Sequence, residues 1–184
     1  MKPICILLAT FNGTTYLREQ VDSIRRQTFK SWRLLIRDDN SLDDTVTLAR
    51  SLADEDERIT IVEDAVQQTV GAAQNFSSLL QAGLRTTSSI FFLCDQDDVW
   101  EEEKLARQAS YFPEGGMERD PLLVHGDLTV VDETLKETHP SFIRKMALDP
   151  TPAMPLTYLL TRNFATGCAI AFNRRLLYEA FPIP

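Results

Sequence analysis

The sequence predicts an α/β fold: a mostly parallel, doubly wound sheet with helices on both faces. Strand-like and helix-like segments alternate over about the first hundred residues, which is typical of such a sheet. The apolar segments are continuous rather than alternating, as expected for strands buried on both faces. Polar and acidic clusters directly follow three of these segments. Because the crossovers are right-handed, we expect the three clusters at one sheet edge, where ligands bind.

The first strand is predicted at 4–9, and the polar segment from Thr10 to Gly13 ends it. A helix should follow, because Leu17, Val21 and Ile24 recur at spacings of four and three. Further strands in this half are predicted at 32–36, 59–62 and 90–94.

Two more helices in this half are predicted from their first residues. Ser41 is expected to cap one of them, with Asp44 three residues later completing a capping box. Gly71 is expected to open the other. The inward face of that second helix would be apolar, with Phe76, Leu79, Leu80 and Leu84.

The second half of the chain has shorter and less regular segments. Strands are predicted at 122–125, 128–131 and 169–172, and helices at 156–160 and 174–180. The segment from Pro140 to Pro155 contains prolines and mixed polarity, so it is predicted to be a mobile loop. No internal repeat or linker divides the chain, and we expect one domain over residues 1–184.

The composition restricts the classes of partner and compartment. A net charge of −8 argues against nucleic acid, because phosphate binding needs a basic surface. Cys5, Cys94 and Cys168 form no C-x-x-C pair, and we interpret them as buried, reduced thiols of a cytoplasmic protein. No apolar run reaches the ~18 residues needed to span a bilayer. The chain is therefore expected to be soluble, or at most peripheral to the inner face of a membrane.

Three carboxylates within four positions follow the strand at 90–94: Asp95, Asp97 and Asp98. Like charges this close raise one another's pKa, and a divalent cation would relieve the repulsion. Oxygen ligands suit Mg²⁺ or Mn²⁺. The alternative is a helix N-cap with first-turn acids, which Asp98 fits best.

Asp38 and Asp39 follow the strand at 32–36 in the same way, with an ordinary turn as the alternative. The sequence contains neither G-x-G-x-x-G nor G-x-x-x-x-G-K-[ST], which disfavours a Rossmann dehydrogenase and a P-loop NTPase. His125 lies at a strand end before Gly126 and Asp127, where a structural and a functional role are equally expected.

Four segments together carry a family resemblance: Ile6–Gly13, Arg37–Thr45, Phe92–Trp100 and Asn163–Cys168. In this order they resemble the opening strand and loop, the nucleoside-binding segment, the D-x-D segment and the cleft loop of the family 2 inverting glycosyltransferases, which have the GT-A fold. The form Cys-Asp-Gln-Asp-Asp-Val-Trp is most similar to bacterial members described as rhamnosyltransferases.

The resemblance implies a role for each matching position. Asp39 should contact the base of the nucleotide, and Asp97 should ligate a Mn²⁺ or Mg²⁺ ion that bridges the diphosphate. The base and ribose pocket would be lined by Thr10, Phe11 and Asn12. Asp95 is expected near the ribose, and Asn75 near the ribose or the diphosphate. The sugar and acceptor would be bordered by His125, Asp127, Thr166 and Gly167.

The implied activity is transfer of a sugar with inversion, in cell-surface polysaccharide synthesis. The donor would be a dTDP- or UDP-sugar, with L-rhamnose suggested, and the acceptor a saccharide or lipid-linked saccharide. Residues up to about 100 would form the nucleotide-binding half, and about 101–184 an incomplete acceptor-side half. The family's base is expected after Pro184, so we assign no catalytic residue and expect a C-terminally truncated domain.

Two other functions fit part of the sequence. The run Asp95 to Val99 matches the D-x-D-x-[TV] pattern of haloacid-dehalogenase-like phosphatases, in which the first Asp is the nucleophile. That pattern normally follows the first strand, whereas here it follows the fourth. The second alternative is a noncatalytic nucleotide-sugar-binding module.

Overall fold

A computed structural model describes residues 3–63, 69–113, 120–148 and 156–182. The strands in these ranges are β1 Ile4–Thr10, β2 Trp32–Asp38, β3 Ile59–Ile61, β4 Ile90–Cys94, β5 Leu123–His125, β6 Val130–Val131, β7 Glu137–His139 and β8 Ile170–Asn173. The helices are α1 Leu17–Arg25, α2 Thr45–Glu55, α3 Ala72–Leu84, α4 Lys104–Ala109, α5 Phe142–Lys145, α6 Leu156–Thr161 and α7 Arg174–Ala180. A 3₁₀ turn, Gly167–Ala169, precedes β8.

The predicted mostly parallel sheet is confirmed. It has the order β3-β2-β1-β4-β8-β5, in which β1, β2, β3 and β4 pair in parallel and β8 runs antiparallel to both of its neighbours. The central strand is buried on both faces, which explains its continuous apolar sequence. Ile4, Ile6 and Leu8 pack into one core, while Cys5 and Leu7 pack into the other.

The two cores are closed by helices on opposite faces of the sheet. Leu17, Val21 and Ile24 of α1 pack into the first core, as their spacing predicted, together with Ala49 and Leu52 of α2. The second core is closed by α3 and α7, through Leu79, Leu80 and Leu177. Each helix therefore buries the apolar stripe that its sequence periodicity defines.

The carboxyl ends of β1, β2 and β4 lie side by side. Thr10 is in register with Asp38, and Leu8 is in register with Cys94. The three polar segments that follow these strands therefore begin at one edge of the sheet, as predicted. The edge also flanks the point where the strand order reverses, because β2 and β4 lie on opposite sides of β1.

The predicted capping box at Ser41 is wrong, because α2 begins four residues later, at Thr45. Strand β2 extends to Asp38, and Asn40 then adopts a left-handed conformation with φ 59°. The Ser41 hydroxyl donates to Asp38 instead of capping a helix. The alternative that Asp98 caps a helix is also wrong, because the next helix, α4, does not begin until Lys104.

The segment from Pro140 to Pro155 is not a loop throughout. Residues 142–145 form α5, and the Ser141 hydroxyl caps it by accepting from Arg144 N–H. Positions 149–155 of the predicted mobile loop lie outside the described residues. The strand predicted at 128–131 is reduced to β6, which pairs with the unpredicted β7. Among the helices in the described ranges, none combines the length and apolarity needed to cross a bilayer.

Candidate functional site

A cavity of about 410 Å³ opens at the carboxyl edge of the sheet. Of the residues predicted for the donor and metal sites, the cavity wall includes Thr10, Phe11, Asp39, Asn75, Asp95 and Asp97. Gln96, between the two aspartates, also lines the cavity, and the rest of the wall is formed by Ala9, Thr69, Gly71, Ala72 and Phe76. Segments far apart in the sequence therefore form one concave surface, mainly apolar with a few polar groups, of a size suited to a small-molecule ligand.

Asn12, also predicted for the base and ribose pocket, is not part of that wall. Its backbone N–H donates to Ser41 Oγ at 2.8 Å, and its side-chain oxygen accepts from Leu42 N–H at 2.9 Å. These bonds fasten the loop after β1 to the loop after β2. Asn12 has φ 49°, a left-handed conformation that asparagine tolerates better than most residues. Its role in this structure is to hold the shape of the two loops.

Asp39 is 2% exposed, and its carboxylate is hydrogen-bonded within the cavity wall. Its oxygens accept from Val70 N–H at 3.0 Å and from Gly71 N–H at 2.8 Å, and Arg37 Nη1 lies 3.7 Å from Oδ1. The carboxylate thereby joins the end of β2 to the start of α3. A carboxylate has about four acceptor positions, so these bonds leave capacity for one further donor.

Asn75 reaches the cavity wall from α3, but its amide is bonded within the protein. The side-chain oxygen accepts from Arg37 Nη1 at 2.9 Å, and the nitrogen donates to the carbonyls of Thr10 and Arg37 at 3.3 Å. Arg37 is itself 2% exposed, and a buried cation requires such partners. This network holds α3 against β1 and β2 beneath the cavity.

The acidic cluster after β4 faces two ways. Asp95 and Asp97 line the cavity, whereas Asp98 joins Asp95 and Cys168 in a group whose ligand atoms lie within 4.8 Å of one another. Asp98 Oδ2 is buried and has no hydrogen-bond partner in the described part of the chain. Burial raises the pKa of Asp95, and the charges of Asp98 and Asp97 raise it further. A cation bound here would offset both the burial of these carboxylates and the repulsion between them.

The pKa of Asp98 is also raised, first by burial and further by the charge of Asp97, while the neighbouring Cys168 thiol acts to lower it. Burial, and then the charge of Asp98, raises the pKa of the Cys168 thiol. The two carboxylates of this group offer oxygen donors, the kind that Mg²⁺ and Mn²⁺ prefer.

Lys104 lies behind this cluster, and sequence reasoning did not identify it. Its Nζ donates to the Cys168 carbonyl at 3.0 Å and lies 4.8 Å from the centre of the Trp100 ring. Burial lowers the pKa of this lysine. No local motif marks Lys104, because it meets residue 168 only through the antiparallel return of β8.

The predicted acceptor-side residues occupy two places. His125 pairs with Ile170 across β5 and β8, so it lies beside the Thr166–Gly167 turn. Its ring contacts Phe164 edge-on, with centroids 4.9 Å apart, and its buried Nδ1 has no partner among the described residues. Asp127 instead faces α5.

The Asp127 carboxylate accepts from the hydroxyl of Ser141 and from the N–H groups of Ile143 and Leu128. Partial burial acts to raise the pKa of Asp127, but these hydrogen bonds outweigh it and the pKa is lowered. A carboxylate with a lowered pKa and three donors is a weak base. Asp127 therefore acts in this structure as an anchor for α5.

Residues 5–181 match the family model described as Glycosyl transferase family 2. The chain belongs to this family. The predicted membership is thus confirmed over nearly the whole sequence. The haloacid-dehalogenase-like phosphatase alternative has no support, because its motif would have to follow the first strand and here follows β4.

Curated relatives of this family 2 chain include a glucosyltransferase and a rhamnosyl transferase. It is 24% identical over 182 residues to the Escherichia coli UDP-Glc:alpha-D-GlcNAc-diphosphoundecaprenol beta-1,3-glucosyltransferase WfgD, covering 98% of the chain and 64% of the relative. It is 31% identical over 99 residues to the dTDP-rhamnosyl transferase RfbG of Shigella flexneri, covering 53% of the chain and 34% of the relative. The chain thus spans less than two-thirds of the length of either relative.

Solved structures confirm the predicted GT-A fold. The mannosyltransferase PcManGT of Pyrobaculum calidifontis, in complex with GDP-Man and Mn²⁺, superposes with a TM-score of 0.65 at 20% identity, covering 100% of this chain and 48% of that one. TarS 1-349 of S. aureus in complex with UDP superposes with a TM-score of 0.52 at 19% identity, covering 60% of this chain and 32% of that one.

Proposed function

We propose that this family 2 chain binds a nucleotide-diphosphate sugar at the carboxyl edge of its sheet and belongs to an enzyme that transfers the sugar to a saccharide acceptor. The observation that carries the proposal is the shared cavity wall of Asp39 and the pair Asp95 and Asp97. Asp39 can accept a hydrogen bond from a nucleobase, and Asp95 and Asp97 can hold a metal at a diphosphate. Because all three line one cavity, a single nucleotide could contact them together.

Asp39 would read the nucleobase. A uracil or thymine ring presents an imide N–H that a carboxylate accepts, and Asp39 retains an acceptor position beside its bonds to Val70 and Gly71. Thr10 and Phe11 would flank the base and ribose from the end of β1, since both line the same wall.

Asp97 would ligate Mn²⁺ or Mg²⁺, with Asp95 beside it. Asp95 fits such an ion, because burial and the charges of Asp98 and Asp97 raise its pKa, and its carboxylate offers hard oxygen donors. The group of candidate ligand atoms in the structure joins Asp95 with Asp98 and Cys168, and we propose that Asp97 binds the ion from the cavity side. A divalent ion bound here neutralises the charge that develops on a departing nucleoside diphosphate. The role of this chain would be to hold the metal-binding carboxylates and the nucleobase at the correct separation.

The acceptor would approach from the side of His125 and the Thr166–Gly167 turn. A single displacement by an acceptor hydroxyl inverts the anomeric centre, and we propose this course for the reaction. The donor is proposed to be a dTDP-sugar, with L-rhamnose favoured by the RfbG similarity, and UDP-sugars next. The name of WfgD gives a diphosphoundecaprenol-linked acceptor, and this similarity supports a lipid-linked saccharide acceptor here. We further propose a role in cell-surface polysaccharide synthesis, at the inner face of a membrane.

The test is a binding screen of dTDP, UDP and GDP by calorimetry, each with Mn²⁺, with Mg²⁺ and with EDTA. We expect metal-dependent binding of dTDP or UDP. Failure of all three nucleotides to bind in any metal would contradict the proposal. Incubation with a generic phosphomonoester is a second assay, in which we expect no phosphate release.

A further inference from the structure

Gln96 forms two reciprocal hydrogen bonds with the backbone of Phe11. Phe11 N–H donates to Gln96 Oε1 at 2.9 Å, and Gln96 Nε2 donates to the Phe11 carbonyl at 3.0 Å. The two residues are 85 positions apart in the sequence. One side-chain amide therefore satisfies both polar groups of one peptide residue, in the manner of a neighbouring strand.

Gly13 leaves the space that this amide occupies. A Cβ placed on Gly13 would lie 2.1 Å from Gln96 Oε1, and the three nearest atoms to it all belong to the Gln96 side chain. No Cβ approaches another atom so closely in real structures, so any larger residue here would displace Gln96. The loop after β1 and the Gln96 amide therefore fit each other.

Gln96 is also the backbone neighbour of Asp95 and Asp97, the two carboxylate residues of the D-x-D segment. All three residues line the cavity, and so does Phe11. A shift of the Asp95–Asp97 backbone must therefore move the Gln96 amide or break its bonds to Phe11. The described residues contain no other side chain that hydrogen-bonds the Phe11 backbone.

We propose that Gln96 is a positioning residue that couples metal loading at Asp95 and Asp97 to the position of the nucleotide-binding loop at Phe11. The inference rests on the proposed function, in that it takes the two segments to be the metal and nucleotide sites. It adds that the two sites are energetically linked through one amide, so that metal orders the nucleotide loop before nucleotide arrives.

The first test is a double-mutant cycle on nucleotide affinity, measured by calorimetry with dTDP or UDP and Mn²⁺. Gln96→Ala removes both hydrogen bonds, and we expect affinity to fall about 5- to 20-fold. Gly13→Ala should weaken binding by a similar factor, because it displaces the amide. The double variant should bind no more than about twofold worse than either single variant, since one interaction cannot be lost twice.

Gln81→Ala on the exposed face of α3 is the matched control, and its affinity should equal that of the wild type. Thermal unfolding of each variant establishes that it is folded. The coupling would be overturned if the losses of nucleotide affinity multiplied in the double variant, or if Gln96→Ala bound nucleotide as tightly as the control.

The second test needs no nucleotide and so separates this inference from the proposed function. Amide hydrogen exchange at Phe11 is followed by NMR with and without Mg²⁺ alone. In the wild type, Mg²⁺ should slow Phe11 exchange about tenfold or more, as expected when an opening becomes less frequent. In Gln96→Ala, Phe11 should exchange faster and should not respond to Mg²⁺. A wild-type Phe11 amide that is indifferent to Mg²⁺ would overturn the inference even if nucleotide binds.

Discussion

Gly71 donates its backbone N–H to Asp39 Oδ2 at 2.8 Å, across 32 positions of sequence. The bond attaches the start of α3 to the end of β2, and Val70 N–H adds a second bond to the same carboxylate. Asp39 is thus an anchor of the cavity wall as well as the candidate group for reading the base. Its two roles can be separated by choice of nucleotide.

Asp39→Asn should weaken UDP binding by about 1–3 kcal/mol, the loss expected for a charge-assisted hydrogen bond. The amide NH₂ would also face the N–H groups of Val70 or Gly71, so the melting temperature should fall. Calorimetry with UDP and CDP separates the two effects, because cytosine has no imide N–H. Wild type should prefer UDP, and the variant should lose that preference. An equal loss for both nucleotides would mean that Asp39 only anchors the wall.

Asp43 should titrate in the folded protein with a pKa of about 2, below its ordinary value of 3.8. The chief cause is the hydrogen bond from the Thr45 hydroxyl, to which bonds from Thr14 add. Because the folded pKa is the lower one, ionised Asp43 stabilises the fold above about pH 4, and this contribution is lost as the pH falls towards about 2.

The measurement is an NMR titration of the Asp43 carboxyl carbon. Thr45→Val removes the hydroxyl and should move the Asp43 pKa back towards its ordinary value. Titration of the wild-type carboxyl near 3.8 would show that these bonds are not formed in solution.

The three thiols should be unreactive in the folded protein. All three are buried and free, and burial raises the pKa of Cys5 to about 12 and raises those of Cys94 and Cys168 as well. Since the thiolate is the reactive form, an aromatic disulfide reagent should modify three cysteines only after unfolding in urea. Rapid modification of Cys168 without denaturant would mean that the 167–169 turn opens away from the acidic cluster.

Most of the sheet and the place of the site follow from short-range sequence patterns. Continuous apolar runs identify strands such as β1, and the polar residues after them must meet at one edge because parallel strands share a direction. Asp39 and Asp97 could therefore be placed on a common cavity from sequence alone. Spacing also identified the buried face of α1.

Contacts between distant segments could not be predicted in this way. Ser41 has the sequence context of a helix cap, but Asp38 accepts its hydroxyl once β2 is extended and Asn40 has turned the chain. The bonds of Gln96 to Phe11 and of Lys104 to the Cys168 carbonyl each join residues more than sixty positions apart. Secondary-structure propensity carries no information on such pairs, because the tertiary fold sets their geometry.

Asp97 is proposed to hold a metal against a nucleoside diphosphate. Calorimetric titration of dTDP and UDP into wild type and Asp97→Ala, each with Mn²⁺ and with EDTA, measures this role. Asp54→Ala is the matched control, because Asp54 is an exposed residue of α2. Wild type and the control should bind about tenfold or more tightly with Mn²⁺, because a cation held by the carboxylates would attract the diphosphate. Asp97→Ala should unfold at a similar temperature but bind equally weakly with Mn²⁺ and EDTA, whereas an unchanged Mn²⁺-dependent affinity in this variant would contradict the account.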